Sequence, residues 1–186
     1  LANLSGSDNT VFGYQTMQAS TITSYNTIMG SEAYKYGTGV GENALFGYRC
    51  GYTGVSSYNA AVGCLSLTNG GISNAVLGYS AIKKKKKTCI GNVAIGDSAL
   101  ASTGSALYNI GIGYQPLLNL LDGLENIAMG YQPGNALTTG RYNIGIGSQT
   151  IQFITNQDDN IGIGRGALSS SVCSNTIGIG YFALSD

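Results

Sequence analysis

The five residues "NIGIG" stand at 109–113, return at 143–147 and again at 160–164, and "TIGIG" follows at 176–180. Taking the last glycine of each motif as an anchor, the series extends over the whole chain: Gly13, Gly30, Gly47, Gly63, Gly78, Gly96, Gly113, Gly130, Gly147, Gly164 and Gly180. The spacing is about 17 residues and never leaves the range 15 to 18. A fixed period of this size marks a stacked repeat, so the period decides the fold before any local propensity does.

Each column of this alignment has its own character. Four residues before the anchor stands Asn9, Asn26, Asn43, Asn59, Asn74, Asn92, Asn109, Asn126, Asn143 or Asn160, and Thr176 in the last copy. The positions one and three before the anchor are apolar or Thr and settle into Ile, as in Ile144 and Ile146. Such alternation is the period-two pattern of a strand. Past the anchor, a small residue followed by a bulky apolar one ("SAL" at 98–100, "GAL" at 166–168) predicts a second, shorter strand. A helix is disfavoured, because each interior Gly costs a helix roughly 1 kcal/mol. The expected fold is all-β: a parallel β-solenoid, or β-roll, of about eleven coils filling residues 1–186 as one repeat domain. Coils stacked ~4.8 Å apart would make a rod about 50 Å long.

The Ile columns are expected to fill the coil, and the Asn column to form a turn ladder in which Asn tolerates a left-handed backbone. The column two before the anchor, which narrows to Gly111, Ala128, Gly145, Gly162 and Gly178, would then face outward. Because it holds no polar residue, it is the expected interface with further copies of the chain, in a homotrimer of threefold symmetry or a homopolymer. Under this reading Gly145→Leu disrupts assembly before it unfolds the coil.

The segments "NVAIGDSAL" at 92–100, "NIAMGYQP" at 126–133 and "TIGIGYFAL" at 176–184 resemble the YadA-like head repeats of trimeric autotransporter adhesins, and similar repeats occur in fibre proteins of phages and large viruses. The resemblance covers all the copies, although the coil here is longer than is usual in the bacterial heads. It implies a left-handed β-roll of three chains around one axis and a role in attachment. The chain is accordingly expected to be a piece of an extracellular fibre or adhesin on a cell or virion surface, contacting a glycan or cell-surface receptor. The alternative is a filament that polymerises end to end through exposed coil edges.

Composition narrows the chemistry. Only 10% of residues are charged, Gly contributes 29 of 186, and there are 13 Tyr and no His. Net charge is zero, which gives no footprint for nucleic acid, and no apolar run suits a membrane span. Without His the commonest general base and metal ligand is missing, and the nine acidic residues are scattered, so no enzyme activity, metal or cofactor is expected. The glycine-rich motif lacks the strand, loop and helix order of a phosphate-binding loop. Cys50, Cys64, Cys89 and Cys173 match no zinc spacing and are read as small buried fillers. Lys83, Lys84, Lys85, Lys86 and Lys87 form a loop that is either a solvated charge run or a basic patch for an anionic glycan. Tyr recurs just after the anchor and just before the Asn, where it packs against neighbouring coils or presents a sugar-binding surface.

Overall fold

A computed structural model describes residues 6–20, 24–38, 41–83, 89–170 and 174–185. It is an all-β solenoid without a helix among the described residues. Thirteen strands follow in chain order: β1 (Thr10–Phe12), β2 (Thr27–Met29), β3 (Ala44–Phe46), β4 (Thr53–Val55), β5 (Ala60–Val62), β6 (Asn69–Gly71), β7 (Ala75–Leu77), β8 (Val93–Ile95), β9 (Ile110–Tyr114), β10 (Ile127–Tyr131), β11 (Ile144–Ile146), β12 (Ile161–Ile163) and β13 (Ile177–Ile179). Eleven of them form one parallel sheet that runs the length of the molecule, and β4 and β6 make a separate pair. Register is strict along the sheet: Ile127 faces Ile144, Ala128 faces Gly145 and Met129 faces Ile146. Equivalent sequence positions therefore stand directly above one another.

The alternation of the strand is present, but its phase is the reverse of the one expected. The column two before the anchor points into the coil: Ile28, Leu45, Ala61, Ala94 and Ala128 have no exposed surface, and Gly111, Gly145, Gly162 and Gly178 are buried. The columns one and three before the anchor point out, leaving Phe12, Leu77 and Ile179 at least half exposed. The reason lies across the coil. The bulky residue four past the anchor (Leu67, Ile82, Leu100, Leu117, Ile151, Leu168) turns into the interior and is fully or almost fully buried there. Little room is left opposite it. A Cβ on Gly111 would lie 3.2 Å from Leu100 Cδ1, one on Gly145 would lie 2.7 Å from Ile151 Cγ1, and one on Gly178 would lie 3.0 Å from Leu168 Cγ. In one coil the sizes are reversed, with Leu45 on the strand and Gly51 four past the anchor. Leu45 packs where a Cβ on Gly51 would come within 2.6 Å of its Cδ1. The narrowing of the column to Gly is volume compensation in a close-packed interior.

The predicted second strand after the anchor is a turn in the structure. Residues two and four past the anchor adopt positive φ in coil after coil, as at Gln115 (50°) and Leu117 (50°) or Gln149 (56°) and Ile151 (45°). This kink aims the fourth residue inward. The anchor glycines have φ between 121° and 145°, and a Cβ on any of them from Gly13 to Gly164 would run into the carbonyl of the anchor in the next coil. Only Gly satisfies both constraints.

Candidate functional site

Three regions carry the residues singled out in the sequence: the internal Asn ladder, the outer face of the long sheet, and a polar region around Glu32 and Arg49.

The ladder is internal. From Asn26 to Asn160 the side chains are at most 2% exposed. Each Asn Nδ2 donates to the Oδ1 of the Asn one coil earlier, in an unbroken series from Asn26 on Asn9 at 2.9 Å to Asn160 on Asn143 at 2.9 Å. The same Oδ1 also accepts the backbone N–H of the later Asn, as Asn109 Oδ1 does from Asn126 N at 2.9 Å. The remaining Nδ2 hydrogen goes to a backbone carbonyl: Asn126 Nδ2 reaches Gly140 O at 2.8 Å. Amides that are fully satisfied by one another serve the stack and leave nothing for a ligand. The left-handed backbone expected at Asn belongs instead to the preceding residue, as at Tyr25 (60°), Glu125 (54°) and Tyr142 (58°).

The outer face of the sheet is apolar apart from Thr10 and Thr27 in the first two strands. The column immediately before the anchor presents Met29, Val62, Leu77, Ile95, Met129, Ile146, Ile163 and Ile179, each at least a third exposed. Together with Phe12 and Ile177 these side chains leave on the order of 800 Å² of apolar surface open, more than the largest patch on a typical monomer. Tyr residues border it on both sides, and Tyr114 stacks on Tyr131 with centroids 5.2 Å apart. The interface assigned by sequence to Gly111, Ala128, Gly145, Gly162 and Gly178 is therefore corrected. Those residues line the chain's own interior, and the exposed apolar residues are their immediate neighbours.

The polar region carries one compact charge cluster. Glu32 accepts a hydrogen bond from Arg49 Nε at 2.5 Å and lies 3.8 Å from Lys35 Nζ, while Arg49 sits 5.1 Å from the ring centres of both Tyr48 and Tyr52. The Arg49 hydrogen bond, together with its charge and that of Lys35, holds the Glu32 carboxyl below its ordinary range. A group whose pKa is depressed by folding stabilises the fold above its unfolded pKa and loses that contribution as pH falls through the folded value. The midpoint of the Glu32 carboxyl in a ¹³C-detected titration is thus expected below that of a free glutamate, and Arg49→Ala should raise it. An unchanged midpoint would remove the ion pair from the account.

Beside this cluster, Arg49, Tyr52, Thr53, Thr68, Asn69 and Lys83 border an open cavity of about 410 Å³. Lys83 is exposed, and Lys84, Lys85, Lys86 and Lys87 lie outside the described residues. No group of three or more metal-ligating side chains occurs among the described residues.

The cysteines divide. Cys50 and Cys89 are buried as expected, Cys64 is exposed, and Cys173 lies outside the described residues. Burial pushes the Cys50 thiol up to about 11, and burial also raises that of Cys89. Both should resist iodoacetamide in the native protein at pH 8 and react once it is denatured, as read by peptide mass mapping; rapid native labelling would contradict their burial. No family model, curated protein or solved structure matches this chain.

Proposed function

We propose that the chain is a structural segment, shaft or head, of an extracellular surface fibre, that it works as a homo-oligomer with threefold symmetry, and that the fibre serves attachment. The carrying observation is the apolar outer face. The interior of the solenoid is already filled by its own side chains, and the outward Ile columns pack within one chain only along the sheet, leaving their outer side open. An area of this size matches what one partner contributes to a stable protein interface, ~800 Å². A face as long as the rod is best covered by another rod of the same length. The resemblance of the repeats to those of adhesin heads and viral fibres supports the attachment role, and the stiffness of a fully laddered backbone suits a part that holds something at a distance.

Sedimentation equilibrium tests the assembly: a discrete trimer of the 19.2 kDa chain is expected. A monomer at micromolar concentration would overturn the oligomer, and an open size distribution would favour a filament. For attachment, the lysine run offers an anionic-glycan contact. Heparin, as a probe, should retain the protein at low salt, and replacing Lys83 through Lys87 by Ala should abolish retention. Equal retention by the variant would take the lysines out of the proposal.

A further inference from the structure

Two columns border the apolar face, one five residues before the anchor and one immediately after it. Both are solvent-facing in nearly every coil. Five residues lie between them, a span of roughly 20 Å if extended, so the two margins of one coil cannot touch each other. They are nevertheless matched in size and chemistry. Where the first margin carries Tyr25, Tyr58 or Tyr142, the second carries Ser31, Cys64 or Ser148. Where the first carries the carboxylates Asp8, Glu42 and Glu125, the second carries the hydroxyl donors Tyr14, Tyr48 and Tyr131. Ser73 and Asn175 stand opposite Tyr79 and Tyr181.

Two neighbouring coils depart from this rule and compensate for each other. One has Gly91 and Asp97, with no Tyr, and the next has both Tyr108 and Tyr114. There Tyr108 lies back over the earlier coil, because a Cβ on Gly91 would sit 2.6 Å from its Cδ1. Each of these levels again has one ring. In the single remaining coil the pair is Asp159 and Arg165, and neither makes a salt bridge among the described residues. Arg165 is held over the Tyr181 ring, 5.8 Å from its centre, with its charge at the surface.

Matching between positions that never meet in one chain has a physical basis if they meet between chains. We propose that copies of this chain pack side by side, pointing the same way and with each coil against the same coil, so that Asp159 of one copy pairs with Arg165 of the next. Rotation about the rod axis brings the first margin of one copy to the second margin of its neighbour at the same level, as a closed ring requires. Other arrangements fit less well. Slipping by one coil in one direction sets Tyr25 on Tyr48, Tyr58 on Tyr79 and Tyr108, which lies at the level of the earlier coil, on Tyr114. Slipping in the other sets Tyr25 on Tyr14, Tyr58 on Tyr48 and Tyr142 on Tyr131. An antiparallel pair would set each margin against itself, placing Asp97 on its own counterpart and Arg165 opposite Ser31. Contacts that penalise wrong registers are how interfaces gain specificity. The margins therefore fix register, while the apolar strip between them supplies area.

This inference rests on the homo-oligomer proposed above, and a cysteine-mixing experiment separates the two. On a Cys64→Ser background, one preparation carries Asp159→Cys and a second carries Arg165→Cys. Co-refolding the two and oxidising them should give a covalent heterodimer in most of the protein, with little homodimer from either alone. As register control, Asp159→Cys mixed with Ser148→Cys should stay unlinked. If the background protein is an oligomer and the mixture fails to cross-link, or links equally well to Ser148→Cys, the in-register arrangement is wrong and the oligomer stands. If the background protein is monomeric, both are wrong.

Discussion

Gly145→Leu is expected to unfold its coil, with a loss of about 4 kcal/mol in urea denaturation. A Cβ at residue 145 would come within 2.7 Å of Ile151 Cγ1 and 2.8 Å of Cδ1, and a leucine must fit three further carbons into the same filled space. The remedy exists elsewhere in the chain, where Leu45 faces Gly51. The double variant Gly145→Leu with Ile151→Gly copies that pair, and residue 151 already has φ 45°, which glycine adopts without strain. It should recover at least half of the lost stability, a coupling that a double-mutant cycle measures directly. Two residues further on, Gly147→Ala should be about as damaging and beyond such rescue. Its Cβ would meet the backbone of the next coil, 2.7 Å from Gly164 O and 2.8 Å from its carbon, at a φ of 134° that L-residues avoid. If Gly145→Leu kept full stability and lost only assembly, residue 145 would face outward and the phase of the strand would be wrong.

That phase marks the limit of what the sequence disclosed. The period, the parallel sheet, the anchor glycines and the stacked Asn column were legible because each is a repeated constraint on one position. Which side of the strand faces the interior was not, because both sides are apolar and hydrophobicity alone does not distinguish them. Two signals in the residues do decide it. Asn shares its parity with the column two before the anchor, and a ladder of amides satisfied by one another belongs inside. From residue 94 onward the column two before the anchor is also only Gly or Ala while the residue four past the anchor is mostly Leu or Ile, as in Gly111 with Leu117 and Gly162 with Leu168, and Leu45 with Gly51 is the reversed pair. Compensation of this kind occurs where two positions share one enclosed volume. The short strand expected after the anchor failed for a different reason. An apolar residue carried inward by a left-handed turn, as Leu117 is at φ 50°, reads in sequence like one carried inward by a strand. Cys64 was misplaced because it stands in a margin column whose other members are mostly Tyr, a position set by the repeat and not by the small apolar character of the thiol.

The same reversal transfers the assembly test from the glycines to the isoleucines. Ile112→Asp together with Ile146→Asp is expected to yield a monomer of 19.2 kDa in sedimentation, with the far-ultraviolet circular dichroism of the parent. Neither side chain fills the coil: Ile146 is 39% exposed in the single chain and Ile112 is partly exposed, both on the outer face of the sheet. Covering the part of each that one chain leaves exposed stabilises an assembly by roughly 1–2 kcal/mol. An aspartate in the same place also brings an unpaired charge into a dry contact, which costs several kcal/mol more. In a ring every chain carries both substitutions, so the penalties recur at each interface and should raise the dissociation constant by at least ~10⁴-fold. The fold itself should be little affected, since the interior at these levels is built from Leu100, Leu117 and Ile151, and the Asn ladder lies on the inner side of the strand. A variant that remains assembled would mean that another surface joins the chains. One that unfolds as a monomer would mean that the outer columns support the coil directly, and the packing assigned to the interior would have to be redrawn.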